Sequence, residues 1–171
     1  MSEQAIRDAI DNVAKVIFER PDKARVKNAP ATAYLINDLT FSVAGPNGEA
    51  VHTDMPKGIG GGGGVPQPGW LVRAALASCT GTVIAMRAAK LGIAVEKLEV
   101  SVESESDNRG LLGLDQSISA ALIGLRAIVR IRAANTTPGE LQSLVRWGDA
   151  HSPVACTLRS ALAAGIEVVV E

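Results

Sequence analysis

Aromatic side chains are scarce in this chain: they make up 3% of its 171 residues, although 47% of the residues are apolar. The core is therefore expected to consist of aliphatic side chains and alanine. The scarcity of rings also argues against single-stranded nucleic acid, because proteins that bind it stack bases on aromatic side chains. The 17 basic and 18 acidic residues nearly cancel, without a long block of one sign. We expect neither nucleic acid nor an anionic membrane as a partner.

A secretory signal is also missing from the first residues, since charged side chains interrupt residues 1–23 throughout. The most apolar stretch, residues 70–95, is long enough to cross a bilayer. Arg73, Arg87 and Lys90 lie within it, however, and each would be costly in the hydrocarbon region. The stretch is therefore predicted to be a buried helix of a cytoplasmic protein.

Cysteine is nearly absent as well, with two residues, Cys79 and Cys156. In a reducing compartment a structural disulfide is uncommon, which favours a reactive thiol pair. Ala77-Ser78 and Thr80-Gly81 flank Cys79 and predict open space near its sulfur. Cys156 follows Ser152-Pro153 by about one helical turn, where a helix N-terminus favours a thiolate. Both cysteines are also compatible with buried core positions, and the local sequence leaves these alternatives open.

Metal-binding spacings are absent from the sequence. His52 and His151 are its two histidines, but it has no CxxC, HxxxH or HExxH motif, so we predict no metal and no other cofactor. The glycine run at 60–64 is not followed by the Lys-Ser or Lys-Thr of a phosphate-binding loop. It is predicted to be a mobile loop that either gates access to Cys79 or simply connects two elements. The lack of a GxSxG motif disfavours a serine hydrolase.

The hydrophobic periodicity and the turn residues predict the α+β class, because strands and helices are segregated rather than alternating as βαβ units. In chain order, the predicted elements are a helix that ends at Pro21, a strand over 31–43, a turn at 45–48, a strand over 49–54, a helix over 68–91, strands over 95–103 and 127–133, helices over 138–149 and 152–165, and a strand over 166–170. The helix over 68–91 is apolar on nearly all sides and needs more cover than one small sheet supplies. A second subunit is the expected cover.

Three segments resemble a known family. Residues 68–79 are Pro-Gly-Trp-Leu-Val-Arg-Ala-Ala-Leu-Ala-Ser-Cys, residues 86–93 are Met-Arg-Ala-Ala-Lys-Leu-Gly-Ile, and Ser152-Pro153-Val154 is followed by Thr157-Leu158. Together they resemble the signature helices of the osmotically inducible protein C and organic hydroperoxide resistance family (OsmC/Ohr). The resemblance covers residues 31–171. Residues 1–30 are expected to be a helical extension and a linker.

The resemblance implies an intertwined homodimer, in which two long central helices are wrapped by antiparallel sheets and the thiol sites lie at the subunit boundary. It also implies a peroxidase that reduces organic hydroperoxides in defence against oxidative stress. In such members the first-helix cysteine, here Cys79, attacks the hydroperoxide and becomes a sulfenic acid. A second cysteine, here Cys156, resolves it as a disulfide, which an external dithiol then reduces.

Two departures from the family pattern affect the predicted site. The family commonly has Cys-Pro-Val at the later helix, whereas this chain has Ser152 there and carries its cysteine one turn further on. The hydroperoxide resistance branch also holds an activating arginine with a glutamate, which this chain lacks near Gly69. Arg25 and Arg73 are the candidate auxiliary arginines, and His151 either tunes a thiol or is solvated. The alternative function is a non-enzymatic member that binds an apolar or electrophilic small molecule at the dimer boundary.

Overall fold

The computed structural model describes residues 2–160 and 164–170, which form helices, strands and two short 3₁₀ turns. The elements in chain order are α1 (Glu3–Glu19), β1 (Thr32–Asn37), β2 (Thr40–Ala44), β3 (Ala50–Thr53), α2 (Pro68–Leu91), β4 (Val95–Glu105), α3 (Asn108–Leu111), β5 (Ile123–Ala133), α4 (Pro138–His151) and α5 (Pro153–Arg159). The predicted α+β class is confirmed, because the strands form antiparallel sheets of their own and the helices do not alternate with them.

The chain divides into two compact units. One comprises residues 2–7, 76–101, 127–160 and 164–170, and the other comprises 8–75 and 102–126. Both cysteines belong to the first unit. The three-stranded sheet and the glycine run belong to the second.

The N-terminal helix begins after Ser2, whose hydroxyl accepts a hydrogen bond from the Ala5 amide at 3.2 Å. It ends before Pro21, as predicted, because proline cannot continue an α-helix. Apolar residues in its second half have little cover: Val13 is 56% exposed and Phe18 is 87% exposed. The helix therefore forms where the sequence predicts it, with much of its apolar surface in solvent.

The first predicted strand, residues 31–43, is two strands rather than one. The chain turns at Asp38, whose φ of 44° lies in the left-handed region, and β1 then pairs antiparallel with β2. Asn and Asp tolerate that conformation and favour turns, which explains the break between β1 and β2. The predicted hairpin that follows is confirmed, since β2 pairs antiparallel with β3 across Gly48, which has a φ of 86°.

The glycine run at 60–64 follows a hydrogen-bonded path around Asp54. This carboxylate is 5% exposed and accepts hydrogen bonds from the amides of Gly62 (2.7 Å) and Gly63 (3.2 Å). A side chain at Gly61 would overlap the Met55 carbonyl, so the close approach requires glycine. In a phosphate-binding loop such amides donate to the ligand, whereas here they donate to Asp54. Gating by this segment stays a prediction.

The long helix α2 has the predicted bounds, starting at Pro68 and ending before Gly92, which has a φ of 69°. Its buried residues are Leu76, Thr80, Ile84, Ala88 and Ala89. Four of them recur every four residues and so form one stripe, which leaves the other faces of the helix partly or fully exposed. The expectation of a helix buried on all sides is not met within one chain. By length and composition alone, α2 also qualifies as a membrane span.

The second sheet pairs β4 with β5. Ion pairs join Glu103 to Arg126 and Glu99 to Arg130. Residue numbers therefore decrease along β4 as they increase along β5, which makes the two strands antiparallel. The inner residues of both strands pack on a buried cluster of Ile84, Ala88 and Leu144. The sheet and α4 thereby cover the buried stripe of α2.

Helix α4 has the predicted capping box. The Thr137 hydroxyl accepts from the Glu140 amide, and the Glu140 carboxylate accepts from the Thr137 amide. Near its other end, Gly148 is buried against Ile84, and a side chain at Gly148 would overlap it. The absence of a side chain there sets how closely α4 approaches α2.

The chain end differs from its prediction. Helix α5 ends at Arg159, and residues 161–163 of the predicted helix lie outside the described residues. The strand predicted over 166–170 is wrong, because residues 164–170 form neither helix nor strand. Ile166 and Val170 are 92% and 89% exposed. β-branched residues favour a strand, but a strand also needs a neighbouring strand for its backbone hydrogen bonds.

Candidate thiol site

Cys79 lies in the middle of α2, with its thiol free and half-buried. Small residues of α2 near it line, together with β4, a cavity of about 410 Å³. Gly81 also lines it, and a Cβ there would make an ordinary van der Waals contact with Val100, at 3.5 Å. The cavity is lined by the neighbouring residues Ala77 and Ser78 and not by Cys79. The open space therefore lies on the helix face next to the one that carries the sulfur.

Cys156 lies on the exposed side of α5, and its thiol is free. Its S–H donates to the Ala150 carbonyl oxygen at 3.3 Å, and Arg159 Nη2 donates to the sulfur at 3.7 Å. Cys156 is the fourth of the seven residues of α5, and the effect of the helix N-terminus on its thiol stays a prediction. The side-chain and backbone groups that contact the sulfur are one guanidinium and one carbonyl.

Arg159 is held in place by Asp149 of α4. Its Nη1 donates to both carboxylate oxygens, at 3.0 and 3.1 Å, and its Nη2 donates to the Asp149 carbonyl at 2.8 Å. These hydrogen bonds, and after them the contact with Cys156, raise the pKa of Arg159 above its usual value. The three groups border a cavity of about 570 Å³. Arg159 is not among the residues predicted from the sequence, although its spacing of three from Cys156 places both on one helix face.

Ser152 occupies the position where the family commonly has its second cysteine, and it is fully buried. Its hydroxyl accepts from the Ala155 amide at 3.3 Å, which caps α5, and from Thr80 Oγ1 at 3.4 Å. Thr80 is the residue after Cys79. The start of α5 is thus fixed against the turn of α2 that carries the first cysteine, while Cys156, one turn further along the chain, is exposed.

The other predicted auxiliary residues make contacts of their own. His151 stacks on Trp147 at a ring distance of 3.9 Å, and its Nδ1–H donates to the Trp147 carbonyl at 2.8 Å. Arg73 Nη1 donates to Ser104 Oγ at 3.3 Å, and Arg25 is exposed. Within residues 2–160 and 164–170, the guanidinium that contacts a cysteine sulfur is that of Arg159.

Metal ligands are not grouped in the part of the chain that the structure describes: no three His, Cys, Asp or Glu side chains there converge on one point. His52 is exposed on β3, in the second unit, whereas both cysteines lie in the first. The described site therefore consists of two free thiols, a buried Ser–Thr contact and one ion-paired arginine. The pairing of the two thiols stays a prediction.

Comparison of the sequence with protein families gives a match over residues 60–167 to the family described as OsmC-like protein. The match spans α2, both strands of the second sheet and the helices that carry Ser152 and Cys156. Comparison with curated protein sequences gives no match.

Solved structures with the same fold are similar to this chain at low sequence identity. An OsmC-like protein from Mycoplasma pneumoniae has a TM-score of 0.67 at 17% identity, over 80% of this chain and 91% of that one. An organic hydroperoxide resistance protein from Elizabethkingia anophelis has a TM-score of 0.58 at 18% identity, over 80% and 91%. One from Legionella pneumophila has 0.57 at 18%, over 78% and 92%. These likenesses establish the fold and leave the activity to be argued from the site.

Proposed function

Because the chain belongs to the OsmC-like protein family, we propose that it is a thiol-dependent peroxidase that reduces organic hydroperoxides. The observation that carries the proposal is the free, half-buried thiol of Cys79, on the long helix within the matched residues. Structural relatives named as organic hydroperoxide resistance proteins support the same class of substrate. The small and aliphatic residues around this part of α2 suit an organic hydroperoxide better than hydrogen peroxide.

In the first proposed step, the Cys79 thiolate attacks the terminal peroxide oxygen and the weak O–O bond breaks. The leaving alkoxide takes a proton from solvent and departs as an alcohol, while Cys79 becomes a sulfenic acid. In the second step, the Cys156 thiolate attacks the Cys79 sulfur, and hydroxide leaves and is protonated to water. The resulting disulfide is reduced by an external dithiol through two exchange steps, so no cofactor takes part.

The exposure of Cys156 supports its proposed role as the resolving thiol. A resolving cysteine must reach two partners in turn, the oxidised first cysteine and then the reductant. Cys156 lies at the protein surface, where a dithiol has access, and Arg159 places a positive charge beside its sulfur. Cys156 lies one turn along α5 from Ser152, so we propose that α5 shifts or turns when the disulfide forms.

We further propose that the functional form is a homodimer in the cytoplasm. One stripe of α2 is buried, whereas Trp70 and Met86 are each more than 40% exposed. The mostly apolar residues 164–170 are exposed as well. Burial of such surface in a partner is favourable at about 25 cal/mol per Å². A second copy of the chain offers the same unpartnered surfaces and is the simplest cover for both.

A second candidate function is the binding of an apolar or electrophilic small molecule without turnover. The observation that favours it is Ser152, which replaces the usual second cysteine and is engaged in a buried contact with Thr80. Such a protein would keep the cavity along α2 and would not need Cys156. The two candidates differ in one measurable property, which is whether peroxide links the two cysteines.

The test is mass spectrometry after one equivalent of cumene hydroperoxide. We expect a Cys79–Cys156 disulfide in the native protein and a Cys79 sulfenic or sulfinic acid in the Cys156→Ser variant. Samples alkylated before peroxide addition serve as the control for pre-existing oxidation. Two unreacted thiols would overturn the peroxidase and leave ligand binding as the better account.

A further inference from the structure

Away from both cysteines, a second cavity of about 710 Å³ lies between the end of α2 and the start of α4, within the first compact unit. One wall is aliphatic and consists of Leu91, Ile93 and Leu144. Arg87 of α2 also lines the cavity. An aliphatic wall beside a cation is the arrangement that binds an amphipathic anion.

The guanidinium of Arg87 has an unusual set of partners for this chain. It is half-buried and lies over the ring of Trp147, with 4.6 Å between its central carbon and the ring centroid. The half-buried Arg7 and Arg73 donate instead to oxygen atoms, of Ala89 and Ser104. Within residues 2–160 and 164–170, Arg87 has the aromatic ring as its contact and no oxygen partner. Its N–H donors remain available, and the groups that match them best are carboxylates and phosphates.

The Trp147 ring beneath Arg87 is held in place by a stacking contact. Trp147 stacks on His151 with an angle of 12° between the rings, and the same tryptophan lines the cavity. A guanidinium that rests on a fixed ring loses less freedom when a ligand binds, which favours affinity. The column of Arg87, Trp147 and His151 therefore presents a positioned cation to the cavity.

A negative charge on the cavity wall restricts which anion fits. Glu140 lines the cavity, and its Oε2 accepts from the Thr137 amide at 2.8 Å and from the Thr137 hydroxyl at 2.7 Å. These hydrogen bonds lower the pKa of Glu140, so it is ionised at neutral pH. A ligand with two negative charges could pair one of them with Arg87, but Glu140 would repel the other. A ligand with one carboxylate can contact Arg87 and extend its aliphatic chain past Glu140 without this repulsion.

We propose that this cavity binds an aliphatic monocarboxylate, whose carboxylate accepts hydrogen bonds from Arg87 and whose chain contacts Leu91, Ile93 and Leu144. The two oxygens of a carboxylate match the fork of a guanidinium. The site is separate from the thiols, and its occupancy does not depend on the proposed peroxidase activity.

The probe is octanoate, and the readout is the fluorescence of Trp147. The chain has two tryptophans, so Trp70→Phe leaves Trp147 as the sole reporter. In this background we expect a saturable change on titration with octanoate. Octanol, which has the same chain without the charge, and suberate, which has a second carboxylate, should each bind more than about tenfold more weakly. Saturation-transfer NMR on the ligands gives a second readout that does not rely on the ring.

Two variants test the assignment of Arg87. Arg87→Met keeps an aliphatic chain of similar length and should weaken octanoate more than about tenfold, while octanol stays unchanged. Arg126→Met, which removes an exposed arginine outside the cavity, should leave octanoate binding as it was. If Arg87→Met fails to fold, Ser143→Asp on the cavity rim provides the same test, because its carboxylate should repel the ligand.

The proposal is overturned by any of three results: octanol binds as tightly as octanoate, Arg87→Met retains full octanoate binding, or octanoate fails to saturate in one of the two readouts. Activity towards hydroperoxides in the same variants gives an independent measurement. Loss of octanoate binding with unchanged peroxide consumption would separate this site from the thiol site, as the proposal requires.

Discussion

The two cysteines of this chain lie in contrasting environments. Cys79 is half-buried in the middle of a helix of 24 residues, among small and aliphatic neighbours. Cys156 is exposed on a helix of seven residues, where a peptide carbonyl and an ion-paired arginine contact its sulfur. In the proposed peroxidase, this contrast would shelter one thiol for an apolar substrate and leave the other accessible to a reductant. The predictions below test this division.

The largest expected effect is the loss of peroxide consumption in Cys79→Ala. The proposed mechanism has no other nucleophile for the first step, so the steady-state rate with a dithiol reductant should fall by more than about a hundredfold. Cys156→Ala should still consume about one equivalent of hydroperoxide before it stops. Equal initial bursts in both variants would remove the distinction between the two cysteines.

A large effect on stability is expected at Gly148, which brings α4 close to the helix that carries Cys79. Gly148→Ala should lower the free energy of unfolding by about 1–3 kcal/mol, because the added methyl overlaps Ile84. Gly139→Ala in the same helix meets no atom within 4 Å and should stabilise by up to about 1 kcal/mol. Urea denaturation measures both. Effects of the same sign would contradict the close packing of α4 on α2.

Ser152→Ala tests the link between α5 and the turn that carries Cys79. The change removes the cap of α5 and leaves the Thr80 hydroxyl without its acceptor, which should cost about 1–2 kcal/mol in urea denaturation. Ser160→Ala at the exposed end of α5 is the matched control and should change stability by less than about 0.5 kcal/mol. Similar losses in the two variants would show that the buried contact contributes nothing of its own.

Arg159→Met sharpens the contrast between the two sulfurs. The guanidinium donates to the Cys156 sulfur and carries a positive charge beside it, so its removal should slow alkylation of Cys156 by iodoacetamide about threefold to tenfold at neutral pH. Cys79 in the same sample is the internal reference and should react as before. An unchanged rate at Cys156 would mean that the hydrogen bond to the Ala150 carbonyl dominates.

The smallest effect concerns the start of α4, the helix that carries Asp149. Hydrogen bonds from Thr137 lower the pKa of Glu140, so its folded pKa lies below the unfolded value of about 4.3. The stabilisation is full above the unfolded value and is lost as the pH falls through the folded one. Glu140→Gln should therefore show a smaller drop in urea midpoint than the native chain between about pH 5 and pH 3. Thr137→Val should behave in the same way.

Local signals account for the elements that the sequence predicted correctly. Pro68 and Gly92 bound α2, and the Thr137–Glu140 capping box starts α4, because proline, glycine and capping side chains act on the nearest backbone groups. The break at Asp38 was missed, although Asn37-Asp38 is a polar pair that favours a turn, because apolar residues resume directly after it. The strand at 166–170 was wrong because β propensity describes one segment, whereas a strand is defined by its neighbour.

In the candidate site too, local sequence predicts some features and not the contacts between separate helices. The motif around Cys79 places that residue within a helix from sequence alone. The contact of Arg159 with Asp149 arises where α5 turns back along α4, across ten residues that include the break between the helices. The contact of Ser152 with Thr80 joins residues 72 apart. No periodicity predicts either contact, because both depend on how separate helices pack.

The carboxylate of Asp54 has a consequence for the cellular setting of this protein. Phosphate and nucleotides are present in cells at high concentration and bind readily to clustered backbone amides. The glycine segment ahead of α2 has such amides, but Gly62 and Gly63 already donate to an anion built into the same chain. These two amides are therefore already occupied, and the conformation of the glycine segment should stay the same whether soluble phosphate is scarce or abundant.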